Sequence, residues 1–115
     1  HVLSRRQRQM CIRDSLRANL VIRKGSNSKM DSYSAFFEND KKTPTGLHGY
    51  LNACGVTDLT LVGLATDYCV AYSALDAARL NFKVSVNTGL CRAIDTDGSL
   101  EKALTEMKLA KVNVI

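Results

Sequence analysis

No run of about 18 consecutive uncharged apolar residues, the length a helix needs to span a membrane, occurs in this sequence. The N-terminus also lacks the apolar core of a secretory signal. No membrane partner and a cytoplasmic location are therefore expected. Paired cysteines are missing as well. Cys11, Cys54, Cys69 and Cys91 lie far apart with no C-x-x-C pair, which argues against a zinc ribbon, a thioredoxin motif or a dense disulfide framework. All four read as reduced thiols. His48 has no acidic or histidine partner at metal-ligand spacing, so it reads as a solvated or capping histidine.

An even spread of positive charge is also absent. The net charge of +5 suggests a nucleic-acid binder until it is mapped along the chain. Residues 1–30 hold eight Lys/Arg against Asp14 alone (+7), whereas residues 31–115 hold eight basic and ten acidic side chains (−2). The basic leader, "HVLSRRQRQMCIRDS", has neither strand alternation nor a sustained helical stripe, and no aromatic on which a base could stack. No nucleic-acid partner is expected. "RRQRQMCIRDS" looks like translated sequencing-adapter read-through, so residues 1–15 are expected to be a non-native, disordered leader, with a partial domain over residues 16–115.

What is present is enough apolar content, 45%, for one modest core. "LRANLVIRK" carries the apolar run Ala18, Leu20, Val21 and Ile22 and predicts a buried strand, with Lys24 at its C-terminal end. Residues 26–42, rich in Ser, Asn and Asp around Tyr33, Phe36 and Phe37, predict a long loop. "TPTGLHGYLNACG" predicts a short helix with Thr43 as N-cap, Pro44 in its first turn and Gly55 closing it in the left-handed conformation. "DLTLVG" predicts a second buried strand.

From Asp67 the period turns helical, with Val70, Ala71, Ala74, Leu75 and Ala78 on one stripe, Thr66 or Asp67 capping the start and Asn81 the end. "NFKVSVN" predicts a strand near the sheet edge or with one wetter face, and "TGLCRAIDTDG" a loop. Asp97 would cap a helix whose Leu100, Ala103, Leu104 and Met107 share a face, and "KVNVI" starts a last strand. This alternation implies βαβ crossovers, hence an α/β fold with a parallel sheet whose chemistry gathers at the carboxyl ends of the strands. Lys24 and Cys69 would then share one rim.

Cys69 stands in the first turn of the predicted helix, where unpaired backbone N–H groups and the positive end of the helix dipole favour thiolate and could stabilise an oxyanion. The alternative is a packing residue, the commoner role of a single cysteine. Lys24 could polarise a carbonyl beside that thiol or simply point into water. Tyr33 and Tyr68 could wall a pocket for a flat ring or pack their loop down, and Phe36 and Phe37 favour packing. Cys54 and Cys91 read as structural. Asp67 reads as a cap that fixes the Cys69 turn rather than as a general base.

In order and spacing, "RKG" with "DSYSAFF", then "GLATDYCV", then "TGLCRA" resemble the nicotinamidases of the isochorismatase-like cysteine hydrolase family, over residues 18–115. The resemblance implies a three-layer α/β/α fold with N-terminal strands missing, and hydrolysis of the small-molecule substrate nicotinamide to nicotinate and ammonia, a step of NAD salvage. It would put Cys69 at the nucleophile and Lys24 at the catalytic lysine. The Leu64–Ala65 peptide would be cis, the N–H groups of Ala65 and Cys69 would form the oxyanion hole, and Tyr33, Tyr68 and Leu64 would lie near the pyridine ring.

The family's aspartate, in a D-x-Q-x-D-F type segment, and its Asp-x-His pair and further histidine for a zinc-like divalent metal have no counterpart in these 115 residues. His1 and His48 do not match those positions. The chain is therefore expected to be the C-terminal part of such an enzyme, inactive alone, lacking metal ligands of its own, and open at a sheet edge; homo-oligomerisation is left open. Two other readings stand beside it. One is a family member acting on a ureidoacrylate or N-carbamoyl substrate, the other a non-catalytic interaction module with a basic arm.

Overall fold

A computed structural model describes residues 19–24 and 33–115 of the chain. The expected leader, residues 1–15, and the loop residues 26–32 lie outside the described residues. Helix α1 spans Leu47–Ala53, strand β1 Asp58–Leu64, a π-helical turn Thr66–Val70, helix α2 Ala71–Arg79, strand β2 Lys83–Arg92, helix α3 Ser99–Leu109 and strand β3 Asn113–Val114. The strands form one parallel sheet in the order β1-β2-β3. Parallel neighbours joined through helices give the α/β class expected from the alternation of periods.

The core lies between the sheet and α2 with α3. Val84 and Val86 of β2, Ala74 and Ala77 of α2, and Ala103 and Met107 of α3 are buried together with Phe36 and Phe82. Small residues let α2 approach the sheet closely, and the large fully buried side chains Phe36, Met107 and Val86 fill the space left. The expected α3 face holds, since Leu100 and Leu104 are half-buried beside Ala103 and Met107. Gly55 and Asn81 both take positive φ, as their helix-ending roles require.

Several elements depart from the sequence pattern. Residues 20–24 carry no strand assignment, and Leu20 and Val21 are exposed. An extended apolar run becomes a strand only where a neighbour completes its hydrogen-bond ladder. β1 is an edge strand of the described sheet, half-buried on Leu59 and Leu61 but exposed at Val62 and Leu64, rather than buried on both faces. β2 is the central strand and runs on through "TGLCR", where a loop was expected. Its register against β1 slips between Leu61 and Gly63, and Gly63 takes the left-handed φ of 124° there.

Helix α1 begins later than expected. Thr43 and Pro44 are held outside it by an antiparallel bridge between Phe37 and Pro44, and Gly46 at φ 96° starts the helix. Thr43 instead donates its hydroxyl to Asp40 (2.6 Å). Asp97 makes no capping hydrogen bond; Gly98 precedes α3, and the Ser99 hydroxyl accepts from Thr96 N (2.8 Å). Among the described residues no helix is long and apolar enough to cross a membrane.

Candidate active site

β1 delivers the chain to the sheet's carboxyl rim at Leu64, and the Leu64–Ala65 peptide is cis, as the resemblance implies. Ala65 is extended, and its carbonyl accepts from both Tyr68 N (3.1 Å) and Val70 N (3.0 Å). The second bond, five residues on, makes the turn π-helical rather than an ordinary first turn of α-helix. Such turns are rare and recur at functional sites. Cys69 is the fourth residue of this turn and is half-buried.

The ammonium of Lys24 donates to Cys69 Sγ at 3.5 Å, across 45 positions of sequence. The two residues expected to share one rim are therefore in contact. Tyr33 and Tyr68 also meet, with ring centroids 5.8 Å apart, and Tyr33 stands edge-on to Tyr72 at 5.2 Å. Tyr72 was not singled out by sequence, although it lies four residues after Tyr68 and so shares its helical face. Leu64, at the end of β1, is 57% exposed and free to meet a ligand. The two phenylalanines do pack, as expected. Phe36 is buried against Phe82, and the loop carrying them is tied down by Ala35 N on the Ser73 hydroxyl (2.8 Å) and by the Thr45 hydroxyl on Ala35 O (2.6 Å).

Asp67 does not cap the turn. Its buried carboxylate accepts from Ile94 N (3.0 Å), Asp95 N (2.7 Å) and the Ser99 hydroxyl (2.6 Å). Burial alone would raise its pKa, but these hydrogen bonds outweigh burial and hold it below the ordinary aspartate value. Nothing local in the sequence announces the partnership with Ser99, 32 positions away.

Of the other thiols, Cys91 is buried and donates to Asn87 O (3.2 Å), a structural role as expected. Cys54 is exposed and sits against the Tyr50 hydroxyl, whose pKa it raises, so it is not a core residue. Cys54, Cys69 and Cys91 are all free. His48 is not a cap. It is half-buried, pairs with Asn52 Nδ2 (3.0 Å) and packs edge-on against Phe82.

A cleft of about 580 Å³ between the loop over residues 34–41, α2 and α3 includes neither Lys24 nor Cys69; Glu38, Tyr72, Asp76 and Arg79 are among its walls. The Lys24–Cys69 contact therefore lies outside this cleft. Among the described residues no group of three His, Cys, Asp or Glu side chains is placed to hold a metal ion. With His48 paired to Asn52 and packed on Phe82, the donor set among the described residues does not fit a divalent metal.

The isochorismatase domain model matches residues 16–115. The nicotinamidase of Acinetobacter baylyi is 47% identical over 98 residues, 85% of this chain and 46% of that protein. The chain thus spans about half the length of the curated relatives it matches. A solved nicotinamidase/pyrazinamidase from Acinetobacter baumanii superposes with a TM-score of 0.84 at 49% identity, covering 85% of this chain and 47% of the other. A pyrazinamidase of Pyrococcus horikoshii solved in complex with zinc superposes with a TM-score of 0.70 at 29% identity, covering 84% of this chain and 50% of that one.

Proposed function

The chain belongs to the isochorismatase family, and from that premise we propose that it carries the nucleophile and its supporting cation for hydrolysis of nicotinamide to nicotinate and ammonia, a step of NAD salvage. The observation that carries this reading is the contact between Lys24 Nζ and Cys69 Sγ at 3.5 Å. A thiol with an ammonium beside it, in a turn at the carboxyl rim of a parallel sheet, is the arrangement that nucleophilic attack on a carbonyl requires.

In the proposed sequence a base takes the Cys69 proton and the sulfur attacks the amide carbon. The backbone N–H groups of Ala65 and Cys69 hold the developing oxyanion. The C–N bond then breaks, ammonia leaves with the proton returned to it, and water cleaves the thioester to release nicotinate. Lys24 supplies positive charge to the sulfur and to the carbonyl oxygen. Tyr33 and Tyr68, already in ring contact, and Leu64 flank the pyridine ring. The base is the aspartate of the family's D-x-Q-x-D-F segment, which these 115 residues do not contain. Any zinc-like metal would be held by family ligands that are equally absent from this chain.

The test is ammonia release from nicotinamide, from a ureidoacrylate and from an N-carbamoyl amide, measured side by side. Nicotinamide is expected to be preferred once a D-x-Q-x-D-F segment precedes the chain. The 115-residue chain alone is expected to be slower by about 10²- to 10⁴-fold, the usual contribution of a general base. Preference for either other substrate overturns the substrate assignment, and rapid turnover by the chain alone overturns the assignment of the base.

A further inference from the structure

The proposed chemistry leaves Asp67 without a task, although it lies two residues before Cys69 and is only 5% exposed. Both of its carboxylate oxygens are engaged. Oδ1 accepts from Ile94 N, and Oδ2 from Asp95 N and the Ser99 hydroxyl. Thus engaged, it is poorly suited to take the Cys69 proton. All three donors belong to the stretch that leaves β2 and enters α3, and Ser99 is itself tied to that stretch by accepting from Thr96 N.

The π turn is therefore fastened in two ways. On its own side the Ala65 carbonyl gathers Tyr68 N and Val70 N; on the far side the Asp67 carboxylate grips the start of α3. A π-helical turn is intrinsically rare and persists where its surroundings impose it. Charge-assisted hydrogen bonds of 2.6 to 2.7 Å are of the strong kind able to do so.

We propose that Asp67 is a positioning residue for Cys69: through Ser99 and the amides of Ile94 and Asp95 it holds the π turn in the arrangement that presents the Cys69 sulfur to Lys24. The inference rests on the reading of Cys69 as the reactive thiol. A merely structural carboxylate would shift the stability of the whole domain and leave the relative reactivity of its thiols unchanged.

The experiment is the rate of iodoacetamide alkylation at each cysteine of the 115-residue chain, followed by peptide mass mapping. Cys54, exposed and just past α1, serves as the internal reference. In Ser99→Ala, which removes one of the three bonds, the Cys69 to Cys54 rate ratio is expected to fall by about fivefold or more, a coupling of ordinary size. Ser99→Thr, which restores the hydroxyl, should recover it. Asp67→Asn should fall further than Ser99→Ala. A ratio unchanged in Ser99→Ala overturns the proposal even if Asp67→Asn fails to fold, and so does a fall that Ser99→Thr does not recover. Alkylation needs no amide hydrolysis, so failure here is distinguishable from failure of the functional reading, which would show as ammonia release that survives Cys69→Ala.

Discussion

The strip Asn19–Lys24 and the turn Thr66–Val70 each supply half of the Lys24–Cys69 contact, yet they are held by different means. The turn hangs from a sheet strand, closes on the Ala65 carbonyl and is anchored by Asp67 to the start of α3. The strip has no ladder among the described residues. Its apolar side chains Leu20 and Ile22 face an open apolar cleft of about 440 Å³ with Leu47, Tyr50 and Leu51, and Tyr50 Oη reaches Asn19 O at 3.4 Å. The difference teaches that the geometry of the Cys69 turn is set by contacts within residues 58–115, whereas the lysine comes from a separate segment outside the sheet that converges on it.

The sharpest break of that comparison is at the chemistry. Cys69→Ala is expected to reduce ammonia release by at least about 10³-fold, because in the proposed mechanism it removes the atom that forms the covalent intermediate. Lys24→Ala should cost less, about 10²-fold, since a supporting charge strengthens attack without being consumed. Both are measured on the chain preceded by a D-x-Q-x-D-F segment. A reversed order would mean that the lysine, not the thiol, carries the bond-forming role.

Packing supplies a second break. Met107 is fully buried in α3, so Met107→Ala is expected to destabilise the chain by about 2–5 kcal/mol in urea unfolding. Val21, 52% exposed in the strip, should tolerate Val21→Ala within about 0.5 kcal/mol. A cost at Val21 approaching that at Met107 would show the strip to be packed as firmly as the core.

The same contrast explains what the sequence made legible. The face of Leu100, Ala103, Leu104 and Met107 and the alternation of Val84 and Val86 were readable because period and burial are local consequences of one another. Lys24 and Cys69 were placed on one rim by topology, since parallel strands bring their carboxyl ends together. The strand expected at Leu20–Ile22 was not readable, because a ladder needs a neighbour that no local pattern specifies. The extension of β2 through Cys91 was hidden by the register slip at Gly63, which interrupts the pairing with β1. Asp67 was misread because a carboxylate near a helix start is usually a cap, and only the fold brings Ser99 to it.

The smallest expected effect is also the one that isolates the anchored half of the comparison. Asp67 has a folded-state pKa below the ordinary value of about 3.8, so the folded state binds the proton less readily than the unfolded one. Its contribution to stability is therefore complete above that value and is lost as pH falls from there through the lowered folded-state pKa. Asp40, lowered by the Thr43 hydroxyl and the amides of Thr43 and Lys42, acts in the same direction, so the parent chain alone does not separate the two. Thermal unfolding of Asp67→Asn against the parent does. As pH falls below about 3.8 the parent's melting temperature should fall more steeply than the variant's, because only the parent has this carboxylate to protonate. Parallel curves would mean that the anchor of the π turn does not depend on the charge of Asp67, leaving the Ala65 carbonyl to hold the turn on its own.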